Sequence, residues 1–173
     1  MTGIITDNLG RSSGLVKAVT AGGGITNFDT WRLTAALSTS ADPLSANLER
    51  VDNATFEKIG TGMTESSGIF AFPATGLWQI KFTGCGHGYN SQLSIKIDHT
   101  TDDGSTWDTA AYNGAGDGDG WYTPVVSRSV FNVTDLANDK VKFNYISGAS
   151  SSLWGHTDMT ETHMEFIRIG DNP

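Results

Sequence analysis

At 173 residues the chain is one domain's worth, long enough to bury a core without disulfide staples, and its single cysteine, Cys85, excludes an intrachain disulfide. A formal net charge of −8, with no Lys/Arg stripe to offset it, argues against nucleic-acid binding. No apolar run approaches the ~20 residues of a membrane span, and the first residues carry neither a basic nor an apolar signal region, so the expectation is a protein made in a cytoplasm.

Residues 1–27 read as an N-terminal arm and 28–173 as a β-rich domain. The arm mixes small polar residues with isolated apolar ones, and Ala21–Gly24 breaks any regular element. A short helix over Gly14–Val19 and an extended arm are both open, as is a first strand of the domain's own sheet. Ile4, Ile5, Leu9, Arg11, Leu15, Val16 and Lys17 are the candidate docking residues.

From Asn27 onward strand signals recur. Phe28–Leu37 alternates through Trp31, Leu33, Ala35 and Leu37. Ser38–Ser45 is a loop, and Ala46–Val51 is a short strand or a turn of helix. Strands are expected over Phe56–Met63, Gly68–Phe72 and Leu77–Thr83, the last with Trp78, Ile80 and Phe82 on one face. Gln92–Asp98 places Leu93, Ile95 and Ile97 together, and Trp107–Tyr112 pairs with it across a tight loop. Thr123–Val133, Lys140–Ile146 and His163–Ile169 complete nine or ten strands, which predict an all-β, two-sheet antiparallel sandwich.

Gly68-Ile-Phe-Ala-Phe-Pro-Ala-Thr-Gly-Leu-Trp78 has the spacing Gly-x-Phe-x-x-Pro-x-x-Gly-x-aromatic. It resembles the strand–turn–strand signature of the complement globular-head and tumour-necrosis-factor-like jelly rolls. Asn138–Phe143 resembles that superfamily's turn before a late strand. Thr162–Ile169 occupies the place of its closing strand, with Met164 in the aromatic slot and Phe166 where a glycine usually sits. The resemblance implies a jelly roll that associates as a homotrimer and acts by presenting a surface. The trimer would use the sheet face carrying Trp78, Ile80 and Phe82, or the face opposite it. Asn8–Lys17 further resembles the start of small structural proteins of tailed phages, in which a short arm precedes a β-rich head.

Chemistry finds little purchase. Thr100–Trp107 fits the Asp-box pattern Ser/Thr-x-Asp-x-Gly-x-Thr-Trp, in which Asp102 caps the turn, Gly104 supplies positive φ and Trp107 packs beneath. Asp117 and Asp119 lie in an acidic Asp/Gly loop and are a weak Ca²⁺ candidate, lacking the glutamate of an EF-hand. The four histidines, His87, His99, His156 and His163, show no zinc-ligand spacing, so no metal or other cofactor is expected. His163 is expected to face away from its strand's core side. Nothing in the sequence fixes two of Glu49, Glu57, Glu65, Glu161 and Glu165 at a catalytic separation. Trp121, Tyr122 and Trp154 are the aromatics to inspect for glycan or partner binding.

The sequence therefore reads as a non-enzymatic jelly-roll protein of a phage virion. In this reading it is a trimeric capsid decoration protein, docking on the major capsid protein or another virion protein through its arm. The alternative is the receptor-binding head of a tail fibre or spike that contacts a host glycan. A carbohydrate-active enzyme is the remote alternative.

Overall fold

A computed structural model describes residues 24–88, 91–117, 122–148 and 150–173. All seven candidate arm residues, together with Asp119 and Trp121, lie outside the described residues. Among those described there are eleven strands and no helix: β1 (Phe28–Leu33), β2 (Leu48–Arg50), β3 (Thr64–Ser66), β4 (Ile69–Ala71), β5 (Gly76–Gly88), β6 (Ser91–Thr100), β7 (Asp108–Asp117), β8 (Thr123–Val133), β9 (Lys140–Ser147), β10 (Ser151–Leu153) and β11 (His163–Gly170).

Two antiparallel sheets face one another. The six-stranded sheet runs β8-β5-β11-β1-β2, with β10 taking over from β11 along the same edge of β5. The five-stranded sheet runs β3-β4-β9-β6-β7. The chain changes sheets at the β2–β3, β4–β5, β5–β6, β7–β8, β8–β9 and β9–β10 connections, while β6 and β7 form a hairpin within one sheet. This winding is a jelly roll, and the architecture is an all-β sandwich.

Alternation explains which face each strand buries. Trp78, Ile80 and Phe82 of β5, Leu93, Ile95 and Ile97 of β6, and Met164 and Phe166 of β11 are all essentially inaccessible. At the centre, Phe143 meets Phe70, Phe82 and Phe166 at ring separations of 5.2–5.7 Å. Rings tilted or edge-on at such distances add to the area they bury. The β3–β4 hairpin closes on Ser67 and Gly68, both at positive φ (54° and 83°), the two-residue turn whose twist matches the strands it joins.

Two expectations need correction. Phe56–Met63 is not a strand. Its only ladder contact is an isolated bridge between Ile59 and Phe28, and Phe56 instead lays its ring against Phe28, centroids 6.1 Å apart. The segment is used as a cover, not as a ladder. The first core strand ends at Leu33 rather than Leu37, where the backbone turns to bond across to Leu153. The open alternative at Ala46–Val51 resolves as strand β2.

The two long edge strands lie beside each other. The Asn113 amide of β7 donates to the Val126 carbonyl of β8 at 2.8 Å, so one sheet's edge occupies a backbone acceptor of the other.

Candidate interaction face

On the outer side of the six-stranded sheet, the strand periodicity that fills the core leaves a second row of side chains. The registers align Val126 with Thr83 and His163, Arg128 with Lys81 and Glu165, and Val130 with Gln79 and Ile167. Leu77 and Ile169 continue the same face at one end. Val126, Val130 and Ile169 are 45, 54 and 53% exposed.

Beyond β11 the same face is closed. Phe28 is covered by Phe56, and Arg32 is 1% exposed. The Arg32 guanidinium donates to Asn53 Oδ1 and pairs with Asp52 Oδ1, each at 2.6 Å, and lies 3.3 Å from Glu49 Oε2. The 52–56 segment thus roofs one half of the sheet, while the β8–β5–β11 half stands open. A buried guanidinium needs such partners, because leaving it bare costs far more than the pairs return.

The charged centre of the open half holds two cations and one anion. Lys81 pairs with Glu165, and Arg128 stands opposite Lys81 in the register. His163 faces outward from the core as the sequence predicts, with Nδ1 3.1 Å from the Glu161 carbonyl oxygen. Burial pushes its imidazole below the ordinary value of 6.5, opposed by that hydrogen bond and by Glu165 and assisted by Lys81. Cys85, half-buried on the same face, has its thiol pushed up by burial and by Glu161, which disfavours the reactive thiolate.

The outer face ends in aromatics. Tyr122 and Trp154, separated by 32 positions, meet edge to face with ring centroids 4.4 Å apart, and His87 lies 5.6 Å from Trp154 on its other contact. The sequence singles out Tyr122 and Trp154 separately, and the structure brings them together. It misses His87 and Ser152, because only the β5–β10 pairing places them beside Trp154.

Several of the remaining candidates have structural partners. Asp102 Oδ1 accepts from the Thr100 hydroxyl at 2.6 Å and the Thr106 N–H at 2.9 Å, while Oδ2 accepts from the Thr106 hydroxyl at 2.7 Å. These bonds hold its carboxyl at about 2, below the usual 3.8. Gly104 has φ 87° against the Trp107 ring, as the Asp-box pattern requires. Glu49 is tied to Arg32, Glu165 to Lys81, and Glu65 accepts the Gly68 N–H. Asp117 closes β7. Among the described residues no three His, Cys, Asp or Glu side chains are grouped to hold a metal.

A cavity of about 280 Å³ opens between β7 and β8, lined by Phe72, His99, Ala110, Ser129 and Phe131 among others. Its ionic rim is already engaged. Asp139 Oδ2 accepts the N–H groups of Thr134 and Asp135, and Lys140 pairs with Asp103. Small residues at Ala110 and Ser129 leave the space.

No family model and no curated protein matches the chain. Solved structures do share its fold. Murine APRIL at pH 5.0 superposes with a TM-score of 0.62 at 11% identity, covering 82% of this chain and 98% of that one. The Eiger TNF of S. frugiperda gives 0.61 at 12% identity, covering 87 and 96%. The globular domain of the zebrafish complement 1qA protein gives 0.54 at 14% identity, covering 85 and 99%. At these identities the likeness concerns the fold, and it agrees with the jelly roll that the Gly68–Trp78 motif implies.

Proposed function

We propose that the chain is a non-enzymatic, self-associating structural protein of a virion surface, a homotrimeric capsid decoration protein fastened to the capsid by its arm. The observation that carries self-association is the open half of the outer face, where Val126, Val130 and Ile169 are exposed beside Leu77 and Ile167. Trp78, Ile80 and Phe82 are spent on the monomer core, so the face opposite them is the one left to form contacts.

Magnitudes set the size of the contact. Fully burying an aliphatic side chain contributes roughly 1.5–3 kcal/mol. Association costs an estimated ~4–15 kcal/mol. Three exposed aliphatics alone sit near break-even, so a stable trimer must also cover the half-buried Leu77 and Ile167 and the Lys81–Glu165 pair. The virion assignment rests on the likeness of Asn8–Lys17 to phage structural proteins. Three arms on one trimer would act multivalently, raising avidity by ~10²–10⁴ over one arm.

Sedimentation of the full chain beside a Val126→Glu/Val130→Glu variant tests the reading. The expected result is a trimer that the double variant reduces to a folded monomer. A monomeric wild-type chain overturns it. Capsid co-sedimentation of the full chain and of a chain lacking residues 1–27 tests the anchor, and equal binding by both removes the arm from that role.

A further inference from the structure

We propose that Tyr122, Trp154 and His87 form a binding site for a neutral sugar ring. Tyr122 directly precedes β8, Trp154 directly follows β10, and His87 lies near the end of β5, so three chain segments converge there. Tyr122 is 66% exposed and does not serve the core. Its ring is nevertheless braced at 87° against Trp154. Pyranose rings stack their C–H faces on such aromatic surfaces and use their hydroxyls for directional hydrogen bonds.

The polar groups complete the set. The Trp154 indole N–H donates to Ser152 Oγ at 3.0 Å, and the same oxygen lies 2.9 Å from His87 Nδ1. An indole nitrogen only donates, so Ser152 accepts from it and has its own proton for Nδ1. When Ser152 donates to Nδ1 the imidazole proton lies on Nε2, and when Nδ1 carries the proton the ring donates to Ser152 instead. Neither His87 Nε2 nor the Tyr122 hydroxyl has a protein partner among the described residues. One ring nitrogen and one phenol therefore stand beside the aromatic surface.

Two features narrow the ligand and stiffen the site. The indole, phenol and hydroxyl carry no charge, and the chain's net charge of −8 disfavours acidic or phosphorylated sugars. The Trp154 backbone N–H donates to the Cys85 carbonyl at 2.8 Å, and Ser152 pairs with His87 in the β5–β10 ladder. The platform is thus fixed to the sheet before a ligand arrives, which lowers the ordering cost of binding. This inference rests on neither the trimer nor the capsid assignment.

The full chain is titrated with glucose, galactose, mannose, N-acetylglucosamine and their oligomers, followed by saturation-transfer NMR and calorimetry. Saturable binding to at least one neutral sugar is expected. Tyr122→Ala should weaken it by roughly fivefold to tenfold or more, since truncating an aromatic anchor costs above ~1 kcal/mol. Tyr122→Phe should keep the stacking and stay within about threefold, the spread of one modest hydrogen bond. Tyr112→Ala, removing a 51% exposed tyrosine of β7, should leave affinity unchanged. The proposal is overturned by no saturable binding, by undiminished binding in a folded Tyr122→Ala chain, or by preference for a sialic acid, a sugar phosphate or free choline.

Discussion

The Asp29 carboxylate accepts the backbone N–H of Met63 at 2.8 Å, tying β1 in one sheet to the residue that precedes β3 in the other. Asp29 is 1% exposed and also accepts from the Thr30 N–H, the Trp31 indole and Arg50 Nε. Arg50 in turn lies over the Trp31 ring, 4.7 Å from its centroid. One buried side chain thus satisfies donors on three segments, and removing it strands them all.

Asp29→Ala is expected to lower unfolding free energy by about 3–5 kcal/mol, the range for breaking a buried ion pair from one side. Asp29→Asn should lose less, because it retains an acceptor oxygen. Urea unfolding monitored by tryptophan fluorescence reads both. A loss below ~1 kcal/mol for the alanine variant would mean that water replaces the carboxylate at little cost.

The opposite sign is expected at Ser127. Its side chain faces the core from β8, is 4% exposed, and its hydroxyl has no hydrogen-bond partner among the described residues. Ser127→Ala should raise stability by about 1 kcal/mol, since an unsatisfied buried hydroxyl is removed. A thermal midpoint lower than that of the wild type would refute this.

Gly86 marks where β10 joins β5. A Cβ there would fall 2.1 Å from the Ser152 carbonyl oxygen and 2.7 Å from Leu93 Cδ1. Gly86→Ala should cost about 1–3 kcal/mol and displace β10, as overpacking does elsewhere. Faster amide exchange at Leu153, whose N–H donates to the Leu37 carbonyl, would register that displacement.

His163 gives the pH response. Its folded-state affinity for protons is lowered by burial, so the unfolded chain binds a proton first as pH falls. Its contribution to stability is full above the ordinary 6.5 and declines as pH drops below that toward the lowered folded value. Arg32 on β1, Thr83 and Lys81 on β5, and Glu161 and Glu165 beside it set its surroundings. His163→Gln should flatten the stability profile just below pH 6.5. An unchanged slope there would assign the dependence to other groups.

Asp102 responds at lower pH. With its carboxyl held at about 2 against an ordinary 3.8, the loop is supported above pH 4 and loses that support as pH falls through 2. Carboxyl chemical shifts should give a midpoint near 2, and Thr106→Val should move it upward by removing one donor. A midpoint at 3.8 in the wild type would show that the Asp-box bonds do not favour the charged form.

Much of this fold is legible because burial imposes a period. Thr123–Val133 matches β8 end to end, since its inward Val125 and Val133 alternate with exposed Val126 and Val130. Leu93, Ile95 and Ile97 mark β6 in the same way. The serines of β10 carry no such period, and the strand exists only because β5 extends past the end of β11 to meet it. Phe56 misleads for a related reason, as its ring is apolar but packs on the outside of a sheet. The aromatic site is illegible as a unit, because it depends on a ladder pairing between residues 65 positions apart, Ser152 and His87.

The amide that Asn113 offers to Val126 also limits how these molecules can meet. An open edge strand of eleven residues would be a template for sheet extension from copy to copy, leading to fibres rather than closed particles. With β7 pressed against β8 and the Val126 carbonyl already taken, growth by backbone pairing is discouraged along the longest edges of both sheets. In the proposed trimer the contacts would fall to the outer face, whose side chains, unlike a bare backbone, discriminate one neighbour from another. Copies held side by side would then stay separate chains rather than fuse into one sheet.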